Sequence, residues 1–428
     1  MRLLRVSTAY EAYLDQIFAE NSELSSLNLA QLNYRSAKLK LDYDGFGWAD
    51  FWEHALKPLG YEVQELVANA APLQDLWAQE AGIQIDHLRG AERAIRIVEE
   101  QIRAFRPEII FFSDFNLFPL SWLKELRKKF PNIKLMLAWC GSPYSDYSLL
   151  APFDMVLSNV PELVSVFKNS GLRAEHLNHA FDPRILDRID LKSPPQIELS
   201  FLGQISRQSG YHLKREQILK ALLKEVPIEI FTPIPPTGTR DLFKQGLRLG
   251  AYFGFRALQK AGVPKSWLES IPKAGKFARL KSPPPALLDR SLRSCIKPGI
   301  FGLKMFQTLR NSAATLNTHI DASSHSASNM RLYEATGVGT CLITDWKENL
   351  HQLFDPELEI VSYRNIDECL EKVRWLSQNP IERKKIAEAG QKRCLKDHTM
   401  SHRALILDQI IQTELRKPHH HASSLHQS

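Results

Sequence analysis

No stretch of this 428-residue chain reaches the ~18 uninterrupted apolar residues of a membrane span, and its first residues lack the charged, apolar and small-residue order of a secretory signal. The expected location is therefore the cytoplasm. Cysteine is sparse: the five present, Cys140, Cys295, Cys341, Cys369 and Cys394, are odd in number, scattered and without a Cys-x-x-Cys pair. That argues against a disulfide framework or zinc site and for reduced packing residues. No fixed-period repeat runs through the sequence, which excludes a solenoid or propeller. Compositional bias is absent too, since 44% apolar and 24% charged residues are ordinary for a globular protein and unlike a disordered or fibrous one. Only the end, residues 417–428, reads as unstructured, with His419-His420-His421 and a Ser-rich close that suit a solvated tail or a metal-binding tract.

What is present is an α/β rhythm, long enough for two domains of roughly 200 residues. Short β-rich runs alternate with amphipathic helical stretches, the pattern of a parallel sheet flanked by helices. In residues 1–185 the expected strands are Leu3–Ser7, Glu62–Val67, Glu108–Ser113, Lys134–Trp139 and Met155–Leu157, with helices between them at Leu73–Glu80, Ala91–Phe105, Ser121–Lys129 and Pro161–Ser170. Polar, proline-bearing Asp182–Pro195 reads as a linker. The pattern then restarts over 186–399, with strands Ile197–Leu202, Ile228–Thr232, Ala314–Asn317, Thr340–Thr344 and Glu359–Ser362, and a closing helix is expected over 400–416. The fold class is thus α/β, with two Rossmann-like domains facing a central cleft.

Charge is unevenly placed. The chain carries +7, yet Arg240–Lys304 holds 14 Lys or Arg against three acids, so the rest is net negative. Residues 236–304 are expected to be a basic helical insertion in the second domain. Its apolar residues Leu242, Phe243, Leu247, Leu249, Tyr252, Phe253, Phe255 and Leu258 are interleaved with Lys244, Arg248, Arg256 and Lys260, giving an apolar face flanked by cations. This suits an anionic membrane surface, and equally a helical insertion packed on its own domain with a solvated basic face. Nucleic-acid binding is not expected, because no recognised module accompanies the charge.

Open parallel sheets bind ligands beyond the carboxyl ends of their strands. The richest such place is Asn317–Thr340, where a strand ends, a small polar loop follows, and a helix is expected with Ser328 or Asn329 as its cap. Its free N–H donors suit a diphosphate, with Arg331 adding a cationic fork. Glu334, three residues on, lies on the same helix face and either accepts hydrogen bonds from both ribose hydroxyls of a nucleotide or pairs with Arg331 as an ordinary surface ion pair.

The string from Asn329-Met-Arg-Leu-Tyr-Glu334 through Ala-Thr-Gly-Val-Gly339 to Thr344-Asp345, with Gly390, His398-Thr399 and Arg403 beyond it, resembles the C-terminal domain of CgeB-like (group 1) glycosyltransferases. Ser200-Phe-Leu-Gly203, His212, Arg215 and Leu316-Asn-Thr-His-Ile-Asp321 are similar to the same pattern, so the resemblance spans about 197–415. Asp44-Gly-Phe-Gly-Trp48 and Gly141-Ser-Pro143 are similar to the variable acceptor-side domain. The resemblance implies a GT-B enzyme that binds a nucleotide sugar through Gly203, Arg215, Asn317, His319, Asp321, Asn329, Arg331, Glu334 and Thr344. It needs no metal or cofactor, and it acts on a glycan or lipid-linked acceptor of cell-surface polysaccharide or glycoconjugate biosynthesis. One departure stands out: many retaining members carry a second glutamate eight positions before the first, where this chain has Ser326.

An inverting transfer needs a general base near the acceptor hydroxyl, from the first domain. Asp114, directly after the strand Glu108–Ser113, and Asp44, beside a Gly-rich turn, are the candidates, although aspartate at either place also serves as a cap or turn residue. A GT-B sugar-nucleotide epimerase or hydrolase, and a non-catalytic nucleotide-sugar-binding protein of a surface-assembly complex, are the competing classes.

Overall fold

The computed structural model describes residues 1–21, 24, 31–143, 146–205, 213–233, 239–271, 275–280, 284, 288–319, 323 and 325–417. Asp321, His212 and the tail beyond residue 417 lie outside the described residues.

Twelve strands form two separate parallel sheets, β1 Arg2–Ser7, β2 Glu62–Val67, β3 Ile109–Phe112, β4 Leu135–Trp139, β5 Met155–Ser158 and β6 Ala174–His176 in the first, and β7 Ile197–Leu202, β8 Ile228–Thr232, β9 Ile296–Pro298, β10 Ser312–Asn317, β11 Cys341–Asp345 and β12 Val361–Tyr363 in the second. The strand orders are β2-β1-β3-β4-β5-β6 and β12-β11-β10-β7-β8-β9. Strands β3 and β4 read as unbroken apolar runs because helices cover both faces of the sheet. All four residues of β3, Ile-Ile-Phe-Phe, are buried. Helix Gly90–Phe105 turns Val98, Ile102 and Phe105 to that sheet at helical spacing and stops where Arg106 enters the left-handed region, at φ 53°.

The sheet orders decide where a ligand goes. Direction of winding reverses between β1 and β3 in the first sheet and between β7 and β10 in the second, and such switch points open a crevice at the carboxyl edge. Both crevices face each other.

One apolar core runs through both domains, joining Trp52, Phe111 and Phe181 to Tyr333, Phe354, Met400 and Leu407. The chain crosses from the first domain at Phe181 and returns beside it. The Phe181 N–H donates to the His398 carbonyl (2.9 Å), and the Met400 N–H donates to the Phe181 carbonyl (3.0 Å). Gly337 is required here, because a Cβ would stand 2.3 Å from the Phe181 ring. Helix Met400–Arg416, opened by a capping box of Thr399 and His402, then lies back on helix Phe51–Leu56 of the first domain. Tyr61 Oη donates to Asp408 (2.6 Å), and Arg173 pairs with Glu414.

The structure departs from the expected elements in three places. Helices Glu11–Glu20, Tyr34–Tyr43 and Phe51–Leu56 fill the stretch between β1 and β2. Three-residue β6 is an edge strand too short to show a period. The basic insertion ends earlier than residue 304: Arg290–Cys295 buries Leu292 in the core of the second sheet, and Ile296-Lys297-Pro298 adds to that sheet as β9, paired with β8. A charged residue and a proline hide such a strand in sequence, and only an edge position tolerates the proline.

Candidate active site

Between the domains lies a cavity of about 580 Å³, lined from the first domain by the turns after β1 and β3 (Thr8, Tyr10, Ser113–Asn116), the Gly45–Trp48 turn and Trp139–Ser142, and from the second by Gly203, Arg215, Asn317, Asn329, Met330, Arg331 and Glu334. These are the two switch points of the sheets.

On the second-domain wall, β10 ends at Asn317, whose side-chain amide exchanges hydrogen bonds with that of Asn329 (2.7 and 3.2 Å) and donates to Thr344 Oγ1 (2.9 Å). Asn329 is thereby spent on this pairing and does not cap the helix. The helix is Arg331–Gly337, one residue later than expected, with Met330 at its N-cap and no side-chain cap. The backbone N–H groups of Asn329, Met330 and Arg331 have no acceptor among the described residues. Arg331 and Glu334 do pair (3.0 Å), but at the wall of the cavity and nearly buried, with side chains 15% and 11% exposed, so this is not a solvated surface pair. Arg215 is buried. Its Nε donates to Thr318 Oγ1 (2.7 Å), its guanidinium lies 5.6 Å from the Phe201 ring centroid, and it reaches the cavity beside Gly203.

Two expected donor contacts stand behind that wall. Thr344 is fully buried under Asn317. His319 turns inward: its Nδ1 and its backbone N–H both meet Asp345 Oδ1 (2.7 and 2.9 Å), and it does not line the cavity. Burial pushes the Asp345 carboxyl up, but His319 and Lys347 outweigh it and hold the group well below the usual carboxylate range. His319 thus braces the ends of β10 and β11. Ser326, at the place of the missing glutamate, is buried, with its carbonyl accepting from Ser323 Oγ (2.6 Å).

On the first-domain wall Asp114 lines the cavity. Its carboxylate accepts from Thr8 Oγ1 and from both the backbone (2.9 Å) and the side-chain amide (2.7 Å) of Asn116, which fixes its orientation without a cation. Asp44 has another task. Its Oδ1 accepts from the Leu303 N–H (3.2 Å) and it bonds Tyr13, so it caps helix Gly302–Arg310 of the opposite domain, and burial raises its carboxyl above the ordinary range. It does not line the cavity. Replacing Asp44 by Ala is expected to cost about 1 kcal/mol in urea denaturation, the usual loss of a helix cap.

Residue patterns alone did not single out the aromatic floor of the cavity. Trp48 meets Trp139 edge to face (ring centroids 4.8 Å), and His179 closes the group at 5.0 Å from Trp139. Trp48 holds φ at 74° between Gly47 (63°) and Ala49 (34°), a run of unfavourable backbone. Buried Arg5 on β1 supports it by donating to the Ala49 carbonyl (3.0 Å) and lying 5.8 Å from the Trp48 ring centroid. Two glycines flanking Phe46 were the available signal. Asp182 was also missed; Arg184 binds it (2.7 Å) and Asp50 (2.9 Å) together, beside the domain crossing.

Comparison with solved structures matches this architecture over nearly the whole chain. Sucrose-phosphate synthase of Thermosynechococcus elongatus is similar at 10% identity and a TM-score of 0.51, over 96% of this chain and 98% of the synthase. A glycosyltransferase from Rickettsia africae gives 11% and 0.51, over 97% of this chain and 99% of its own. Anabaena HepE, solved with UDP-glucose, gives 10% and 0.52, over 96% and 100%. The fold is GT-B. By sequence, residues 279–410 match the glycosyl transferase-like family model, and no curated protein matches. The matched segment contains the Asn329–Glu334 part of the cavity wall and helix Met400–Arg416 up to residue 410.

Proposed function

We propose that this protein transfers a glycosyl unit from a nucleotide sugar to a hydroxyl of a glycan or lipid-linked acceptor. The observation that carries the reading is the facing of Arg215, Arg331 and Glu334 on one wall of the GT-B cavity by an oriented Asp114 on the other. Arg215, Arg331 and the unpaired N–H groups at 329–331 suit the diphosphate, and Glu334, released from part of its pairing, accepts from the ribose hydroxyls. HepE, of the same fold, was solved with UDP-glucose, a ligand of this class. In the reaction we assign, the acceptor oxygen bonds to the anomeric carbon as the bond to the diphosphate breaks. The acceptor proton passes to Asp114 and the nucleoside diphosphate leaves, with inversion.

The resemblance of the Asn329–Arg403 string to CgeB-like enzymes favours an acceptor of surface polysaccharide or glycoconjugate assembly, reached from the cytoplasmic face of a membrane. Among the described residues no helix is long and apolar enough to cross one. Nucleotide release from a panel of sugar nucleotides, measured with and without membrane glycolipid extract, tests the reading. Release that depends on the extract supports transfer. Release without acceptor points to the epimerase or hydrolase, and binding without release to a non-catalytic protein. Glu334→Ala is expected to weaken sugar-nucleotide binding at least about tenfold, or 1.4 kcal/mol, by calorimetry. An unchanged dissociation constant removes Glu334 from the site.

A further inference from the structure

The basic insertion is a small helical unit with a core of its own. Helix Thr239–Lys260 buries Phe255 against Leu268 and Ala278 of the short helices Lys265–Glu269 and Lys276–Arg279, and Gln259 Nε2 donates to the Ala278 carbonyl (3.2 Å). Tyr252, Phe255 and Gln259 occupy one side of the long helix. On the opposite side Phe243, Leu247 and Leu258 recur at helical spacing, with Gly250 and Gly254 between them and Phe253 at the margin. All are exposed, Phe243 by 68%, and Trp267 on the next helix by 71%. Of the 19 large apolar side chains exposed among the described residues, seven fall between positions 243 and 280, which rules out chance scatter of single surface residues as the explanation.

We infer that this face docks the protein on an anionic lipid bilayer, with the apolar stripe in the interface and the surrounding cations on the headgroups. Charge decides the occupant. Lys244, Arg248 and Lys260 flank the stripe with no ion-pair partner among the described residues, while Glu269 is matched by Lys265 and Arg279 (3.6 and 3.7 Å). An apolar band edged by unpaired cations is complementary to a surface that is anionic outside and apolar beneath. Position gives the docking its use. The chain enters the insertion directly after Pro233, which follows β8 and lines the cavity, so a docked insertion holds the cavity beside the bilayer. That use rests on the transfer reading above, and makes the acceptor lipid-linked; the docking does not depend on it.

Cosedimentation of the full chain with vesicles tests the docking without any turnover. Binding to phosphatidylcholine vesicles containing phosphatidylglycerol is expected to exceed binding to phosphatidylcholine alone by at least about tenfold, and to fall at high salt. The double variants Phe243→Ser/Trp267→Ser and Lys244→Glu/Arg248→Glu are each expected to lose at least about tenfold in partitioning. Both keep sugar-nucleotide binding, which shows that they fold. Equal partitioning on the two vesicle types overturns the inference, as do variants that sediment like the parent. A concentration-dependent dimer dispersed by Phe243→Ser would assign the face to a second copy of the chain instead. Failure of nucleotide release with intact vesicle binding refutes the transfer and leaves the docking standing.

Discussion

Asp114→Asn is expected to reduce kcat by roughly 10²–10⁴-fold, the range for loss of a general base, with the sugar-nucleotide dissociation constant changed less than about twofold. Three carboxylates line the cavity, Asp114, Asp182 and Glu334. Asp182 is held by Arg184 and Glu334 by Arg331, each on or beside the second-domain side, whereas Asp114 stands at the end of β3 with hydroxyl and amide donors around it and, among the described residues, no cation. The asparagine keeps the shape and one acceptor for Asn116, so the turn after β3 stays in place. The proton of the acceptor hydroxyl then has no carboxylate to receive it. A steady-state comparison that finds kcat undiminished takes Asp114 out of the chemistry and returns the question of a double-displacement route, for which this chain has serine at position 326.

Acid is expected to weaken the junction of the two domains before it reaches the rest of the fold. His398 donates from Nε2 to the Leu353 carbonyl (2.7 Å) and accepts at Nδ1 from the Arg403 guanidinium (3.0 Å), an arrangement open only to neutral imidazole. Burial, together with Arg403, pushes its pKa down to about 4; the Leu353 bond only partly opposes this. Burial and the same arginine push His179, against Trp48 and Trp139, down to about 3. Both groups titrate lower when folded than the ordinary value near 6.5, so the unfolded chain takes up the protons first. Stability is therefore complete above about pH 6.5 and falls as pH drops towards 4. At pH 5 the loss from His398 alone is on the order of 2 kcal/mol. Urea midpoints at pH 8 and pH 5 measure it, and His398→Gln, which can donate to Leu353 without charging, is expected to flatten the difference. Identical midpoints for the parent at both pH values would falsify the assignment of a neutral buried His398.

The sites where this acts were partly legible beforehand. His398-Thr399 and Arg403 belonged to the string shared with CgeB-like enzymes, but nothing in their spacing shows that the His398 carbonyl receives the Phe181 N–H more than two hundred residues away. Likewise Glu334 and Arg331 follow from helical spacing, while their place on a cavity wall does not. The resemblance implies a donor contact at His319, and the structure turns it onto Asp345, since the next strand ends with that carboxylate at hydrogen-bonding distance. Beside its Gly-rich turn Asp44 reads equally as a candidate base or a cap, and the structure shows the cap, on a helix from the other domain.

The sequence by itself determined the local facts: alternating strand and helix, two α/β units, the Asn329–Arg403 string and an excess of cations between Arg240 and Lys304. Those depend on periodicity, chain stiffness and composition, which neighbours a few residues apart already express. Tertiary structure alone decided which carboxylate faces the cavity, which aspartate is consumed as a cap, that Ile296–Pro298 is an edge strand, and that the apolar stripe of Thr239–Lys260 faces outward. Each of these turns on a contact between distant segments, where burial, an available donor or a free sheet edge overrides what a residue's own neighbours favour.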